Sequence, residues 1–331
     1  MRACSALSKL IRGLGVAAAL VATAAPGLAH AASDYPSKPI RIVVPYAPGG
    51  AVDIVTRLVA QKMGESLKQS IIVDNRPGGA TNIGMDLVAR APADGYTLLT
   101  ASNSLASNGA LFTKLNFDPS KDLLPVGAIG YAPLVVVVSS SSQFKTLQNL
   151  IDYGKANPDK LTYASAGNGS SGHLASELLK DEGKFNALHV PYKGGAPAIT
   201  DLLGGRIDFM SINPVEAIPH IKADKMRPLA VMDSKPAAML PNVPTVSSLG
   251  LGGAAASVWW GFCAPKGTPD DVVAKLNEAL NQALADENVK TRLSELGAVA
   301  TPGSTADFTK FVQDETAKWS RVIKNANIKA D

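Results

Sequence analysis

The sequence predicts an α/β fold, and three observations carry that prediction. Short, continuous apolar runs, the mark of strands covered on both faces, alternate with stretches whose apolar residues recur at helical spacing. Gly- and Asn-rich loops separate the two kinds of segment. The 331 residues are 46% apolar and 18% charged, enough hydrophobic material for a sizeable core, which excludes wholesale disorder.

Residues 1–31 stand apart from this pattern. Arg2, Lys9 and Arg12 precede an Ala-rich apolar run over 13–25, with no acid before Asp34. Pro26 breaks the run, and Ala29-His30-Ala31 places small residues at both key positions of a cleavage site. The run is short against the roughly 20 apolar residues a bilayer span needs. We read 1–31 as a signal peptide cut near Ala31, and the mature protein as exported and soluble.

Ile40 to Tyr46 opens the mature chain as a buried strand, and 52–67 follows as a helix with Ile54, Val55, Leu58, Val59, Met63 and Leu67 on one face. Strands are predicted over 71–73, 96–100, 135–138 and 161–164. Helices are predicted over 173–182, 196–203 and 214–222, with strands over 207–212 and 228–232. A strand at 258–263 and three helices complete the chain. The first of those helices opens Thr268-Pro269-Asp270-Asp271, read as an N-cap, a first-position proline and acid in the first turn. The last opens with the capping box Ser304-x-x-Asp307 and runs to Asn325. The alternation predicts parallel-rich sheets with helices on both faces. Val44-Pro45-Tyr46-Ala47-Pro48-Gly49-Gly50 is echoed by Val190-Pro191-Tyr192-Lys193-Gly194-Gly195, which suits two similarly built halves.

Two strand-to-helix loops carry the chemistry. In the first, Tyr46, Ala47, Pro48, Gly49 and Gly50 lead to Asp53. Its glycines permit close backbone approach, and the following helix turns free N–H groups toward the loop, a setting for an anion. The second runs Ser165, Ala166, Gly167, Asn168, Gly169, Ser170, Ser171, Gly172, His173 and spells G-x-G-x-x-G. A dinucleotide site also needs an acid about 20 residues on; that region reads His189-Val190-Pro191-Tyr192-Lys193, with none. What remains is a donor-rich cradle suited to a carboxylate. Each loop also suits a plain turn, with Asp53 only capping its helix. Residues 75–84 and 101–104 read as two further polar loops. Arg76 or Lys193 could pair with a ligand carboxylate or simply be solvated.

The Walker phosphate loop, the nucleophile elbow and the H-E-x-x-H zinc motif are absent from the sequence. Of two cysteines, Cys4 lies in the leader and Cys263 in an apolar strand with Trp259, Trp260 and Phe262, a setting for a core thiol. No cofactor is expected. The net charge of +4 includes three leader cations; without them 29 basic residues face 28 acidic ones. A nucleic-acid partner is not expected.

From Tyr35 onward the chain resembles the substrate-binding receptors of tripartite tricarboxylate transporters, the Bug family. The resemblance rests on Tyr35-Pro36-x-Lys38-Pro39-Ile40, Pro48-Gly49-Gly50-x-x-Asp53, Asn75-Arg76-Pro77-Gly78, Ala91-Pro92-Ala93-Asp94-Gly95-Tyr96-Thr97-Leu98, the stretch Ala164 to His173, and Pro191-Tyr192-Lys193-Gly194. Departures at Gly79-Ala80-Thr81 and Gly109 bear on ligand identity. The resemblance implies a type II periplasmic-binding-protein fold, a Venus flytrap of two α/β lobes. Lobe one is then 33–131 plus 258–331 and lobe two 132–257. It implies a monomeric, non-catalytic receptor that closes on a small carboxylate: a di- or tricarboxylate, an acidic amino acid or an aromatic acid. Delivery would be to the large and small membrane subunits of the transporter, or alternatively to a sensor kinase. Segments 48–52 and 167–171 would grip the carboxylate. Tyr46, Asn103, Ser104, His173, Tyr192 and Asp208 would read the rest of the ligand, and Asp53 would orient waters or cap its helix.

Overall fold

A computed structural model of the chain describes residues 35–325 and residue 328. The signal-peptide reading of 1–31 lies outside the described residues.

The chain begins with β1 (Ile40–Val44), α1 (Ala51–Leu67), β2 (Ile71–Asn75), α2 (Asn82–Ala89), β3 (Thr97–Ala101) and α3 (Asn103–Leu111). Two long runs follow, β4 (Leu123–Pro133) and β5 (Val135–Ser139), with only Leu134 between them. Next come α4 (Leu147–Ala156), β6 (Thr162–Ser165), α5 (Ser171–Gly183), β7 (Leu188–Pro191), α6 (Gly195–Leu203), β8 (Phe209–Ile212), α7 (Pro214–Lys222) and β9 (Met226–Val231). The chain then returns through β10 (Ser257–Pro265) and ends with α8 (Asp270–Ala285), α9 (Glu287–Glu295), β11 (Val299–Ala300) and α10 (Thr305–Asn325).

These strands form two sheets, in the orders β11-β4-β10-β3-β1-β2 and β7-β6-β8-β5-β9. The βα units supply parallel pairs, β1 with β2 and β3, and β6 with β7 and β8. The sheets are nevertheless mixed rather than parallel-rich. β10 lies antiparallel to β3 and β4, and β5 lies antiparallel to β8 and β9, because these strands carry the chain between sheets instead of closing a βαβ turn. The passage is tied by a ring of three main-chain bonds. Leu134 N–H donates to Ala256 O (3.0 Å), Ala256 N–H to Met232 O (2.9 Å), and Met232 N–H to Leu134 O (2.8 Å).

Each sheet has its own core. Val43, Leu99, Met85, Leu105, Trp259 and Trp319 are buried together on one, and Val135, Val137, Leu202, Met210, Ile212 and Val231 on the other. The capping box forms as expected: Ser304 Oγ accepts Asp307 N–H (3.1 Å) while Asp307 accepts Ser304 N–H (3.2 Å). At α8 the cap differs. Pro269 is the capping residue, and the Thr268 hydroxyl instead donates to Pro265 O at 2.8 Å. The polar stretches 75–84 and 101–104 are not wholly loops either, since α2 begins at Asn82 and α3 at Asn103.

Candidate functional site

Ligands in open α/β sheets sit off the C-terminal ends of parallel strands, where βα junctions turn into helices. Five such junctions meet in one place. Tyr46, Gly50, Ala51 and Val52 come from β1–α1, Ala166, Ser170 and Ser171 from β6–α5, Gly195 from β7–α6, and Asn213 and Glu216 from β8–α7. Ser102, ahead of α3, and Val258 of β10 close the wall. The enclosed cavity is about 20 Å³, room for a single water. Ala166 also borders an outer groove of about 220 Å³, lined by Gly78 to Thr81 on one side and by Gly167, Asn168, Tyr192 and Lys193 on the other.

The first two turns of each helix explain the convergence. The first N–H groups of a helix have no partner within it and carry the positive end of its dipole. α1 and α6 are capped by Gly50 and Gly194, which offer no side-chain cap, so these ends are open to groups from elsewhere in the fold. At α5 the Ser170 hydroxyl accepts His173 N–H (3.4 Å) and covers part of the end. No lysine or arginine lines the inner cavity.

The two sheets touch across this site. Ala47 N–H donates to Lys193 O (2.9 Å), and Ser107 Oγ donates to Gly169 O (2.9 Å). Gly169 sits at φ +73°, and a Cβ there would lie 2.4 Å from Asn108 Oδ1. Gly195 is equally constrained, since a Cβ would lie 1.9 Å from Glu216 Oε1. The carboxylate of Glu216 also accepts the Ala51 N–H and, at 3.0 Å, Asn213 Nδ2. Burial pushes the Glu216 carboxyl up from its ordinary range, against the pull of those two donors.

The eighteen residues expected from sequence are spread over several places. Tyr46, Gly50, Ala166, Ser170 and Ser171 line the inner cavity, and Gly167, Asn168, Tyr192 and Lys193 line the outer groove. Ala47 joins the contact between the sheets, while Pro48 and Gly49 are exposed. The rest are employed in holding loops. Asp53 accepts Gly49 N–H (2.9 Å) and Asn75 Nδ2 (3.0 Å) and pairs with Arg57 at 2.9 Å. Burial opposes its ionisation, but those three partners hold its carboxyl below the usual range.

Asn103 is tied to β10, donating to Ser257 O (3.1 Å) and accepting Trp259 N–H (3.3 Å). Ser104 Oγ bonds the Tyr46 hydroxyl (2.7 Å), whose pKa is pushed up to about 12 by burial, a rise that the Ser104 bond opposes and the nearby Glu216 charge reinforces. Ser165 Oγ accepts Gly167 N–H (3.1 Å) and bonds His189 Nε2 (2.6 Å). His173 Nδ1 accepts Gly169 N–H (3.1 Å), and its ring stacks on His189 with centroids 4.1 Å apart. Burial drives these imidazoles down to about 4 and about 3, so both are neutral wall components. Tyr192 reaches the groove but spends its hydroxyl on Asp201 (2.6 Å).

Two expected contributors lie elsewhere. Asp208 precedes β8, at the opposite end of the strand from the cavity, and accepts the Thr162 N–H and hydroxyl, both at 2.8 Å. Arg76 is half exposed and pairs with Asp74 (3.0 Å). Glu216 and Asn213 went unnoticed in the sequence. The signal was a further strand-to-helix junction at 212–216, without the glycines that mark the 46–53 and 165–173 loops.

Comparison with known proteins places these features in context. Residues 55–328 match the model of the tripartite tricarboxylate transporter family receptor. A UPF0065 protein from the tcbD-tcbE intergenic region of Pseudomonas sp. strain P51 is 38% identical over 314 residues, covering 95% of this chain and 94% of its own. Protein BugT of Bordetella pertussis is 35% identical, covering 98% and 99%. Among solved structures, the periplasmic binding protein BugD superposes with a TM-score of 0.86 at 32% identity, covering 89% and 99%. MatC of Rhodopseudomonas palustris with bound malate superposes at 0.84 with 33% identity, covering 87% and 100%. A second R. palustris protein, solved with adipate, superposes at 0.86 with 34% identity, covering 89% and 99%.

Proposed function

The chain belongs to the tripartite tricarboxylate transporter receptor family, whose members are periplasmic solute-binding receptors rather than enzymes, and on that premise we propose that it captures a small carboxylate between its two sheets. The observation that carries this reading is the meeting of the starts of α1 and α6, neither capped by its own N-cap side chain, with the start of α5 at one cavity that no lysine or arginine lines. Helix N-termini receive a carboxylate through backbone N–H groups and dipole together. Glu216 supports the point from within, because a carboxylate already takes the Ala51 N–H there. Structural relatives that carry malate and adipate fit the same class.

In this proposal 33–131 plus 258–331 form one lobe and 132–257 the other, and they part at the strands flanking Leu134 and Ala256. A cavity of about 20 Å³ is far below the roughly 300–1,000 Å³ usual for ligand sites, so entry requires the lobes to separate and the ligand then bridges them. Tyr46, Gly50, Ser170 and Ser171 face the ligand, while Tyr192 and Lys193 stand at its entrance. Residues 1–31 export the chain to the periplasm, where the mature protein acts as a monomer and hands its ligand to the large and small membrane subunits of the transporter.

A thermal-shift screen of di- and tricarboxylates, acidic amino acids and aromatic acids tests the reading. We expect at least one acid to raise the Tm and to make the scattering profile more compact. Stabilisation by none of them overturns it.

A further inference from the structure

Most groups around the inner cavity offer hydrogen to a ligand; two do the reverse. Glu216 presents a carboxylate that is 6% exposed, and Asn213, 9% exposed, has a side-chain oxygen with no hydrogen-bond partner. Both line the cavity and both belong to the first turn of α7. The Asn213 amide cannot be turned over to remove the anomaly. Its Nδ2 donates to Glu216 Oε2 at 3.0 Å, and inversion would set two acceptor oxygens against each other. Oδ1 is therefore held as an acceptor.

A buried, unpaired carbonyl oxygen is costly unless a partner arrives. The usual partner would be a donor nearby, yet the Tyr46 hydroxyl is engaged with Ser104 at 2.7 Å. A ligand that displaces water from this cavity can bring the donor itself. A second carboxylate of a diacid brings none, and it would meet the Glu216 charge at close range. A protonated carboxyl could satisfy one acceptor, but not both. An ammonium has three N–H donors and a positive charge, which suits a carboxylate and a carbonyl oxygen held side by side.

We propose that the ligand is an acid that also carries a protonated amine, its ammonium held by the Glu216 carboxylate and Asn213 Oδ1 while its own carboxylate lies on the helix ends. This rests on the carboxylate reading given above and narrows it to amino acids. It also assigns Glu216 a double use. The side chain bridges to Ala51 across the cleft when the site is closed on itself, and turns to the ammonium when a ligand intervenes.

Calorimetric titration with matched acids tests the assignment: succinate against aspartate, glutarate against glutamate, adipate against 2-aminoadipate. We expect at least one amino acid to bind ten times or more tighter than its amine-free partner, and E216Q to reduce that ratio to below three. The wild-type comparison decides the ligand class even if the variant does not fold. Equal or tighter binding of the amine-free acids overturns this proposal and leaves the carboxylate reading standing. Binding of neither series overturns this proposal, and the carboxylate reading then stands or falls with the thermal-shift screen; an undiminished preference in folded E216Q removes Glu216 from the assignment.

Discussion

Replacing Gly169 by alanine separates the closing of the cleft from the folding of its halves. The new methyl would lie 2.4 Å from Asn108 Oδ1 and 2.8 Å from both Ser107 Oγ and Leu111 Cδ1, all on α3 across the contact between the sheets. It would also hold a non-glycine residue at φ +73°, a cost of about 1–2 kcal/mol that is present whether the halves touch or not. The clash exists only when they touch. Relieving it requires Asn108 to turn, and its Nδ2 is held by Ala80 O and Asn82 Oδ1, each at 2.8 Å. Overpacking of this kind costs about 1–3 kcal/mol. Ligand affinity should therefore fall by about 5- to 100-fold, at a decade per 1.4 kcal/mol. Gly250→Ala is the control, since Gly250 has φ +77° with nothing within 4 Å of a Cβ. Both variants should lose Tm; only G169A should lose affinity for whichever acid the thermal screen selects. A dissociation constant for G169A within twofold of the parent would refute the reasoning.

Three other outcomes are expected. His173 and His189 titrate near 6.5 in the unfolded chain but at about 4 and about 3 when folded, so the unfolded state takes up protons that the folded state refuses. Stability present above pH 6.5 is then lost as pH falls, by at most about 2 kcal/mol per histidine down to pH 5; Glu216, whose pKa is raised, works in the opposite sense near its own range. A urea midpoint unchanged between pH 7 and pH 5 would contradict this. Asp53→Ala removes the acceptor for Gly49, Asn75 and Arg57 and should cost about 2 kcal/mol in urea unfolding; a loss under 0.5 kcal/mol would show that the loop holds without it. Cys263 is fully buried and its thiol is pushed up to about 12, so the mature native protein should not react with Ellman's reagent until denatured.

The sequence was most informative where the signal is local. β1, β5 and β10 read directly as apolar runs, and the Ser304–Asp307 box announced the start of α10 because all its chemistry lies within four residues. The Gly-rich turns likewise located two of the five junctions that meet at the cavity, since close backbone approach leaves glycine as its trace. Long-range partnerships left no such mark. Asn103 and Asp208 look like ligand readers in isolation, and only the register of β10 and β6 shows their polar atoms spent on Trp259, Ser257 and Thr162. Glu216 escaped for the same reason: a lone acid in the first turn of a helix is ordinary, and its burial depends on Gly50 and Gly195 leaving room for it. The Gly79-Ala80-Thr81 departure has a physical reading too, as Ala80 and Thr81 both adopt positive φ, at 50° and 76°, where glycine would be unstrained.

The ring formed by Leu134, Met232 and Ala256 has a mechanical consequence. Three main-chain bonds joining three separate crossing segments resist sliding in any direction, because every translation lengthens at least one of them. Rotation about the backbone dihedrals on either side is opposed far less. In the proposed closing motion this ring would serve as the pivot, with travel ended by whatever stands between Gly50 and Gly195. Occupants of different length would then be registered as different stopping angles of one joint rather than as different folds of the wall.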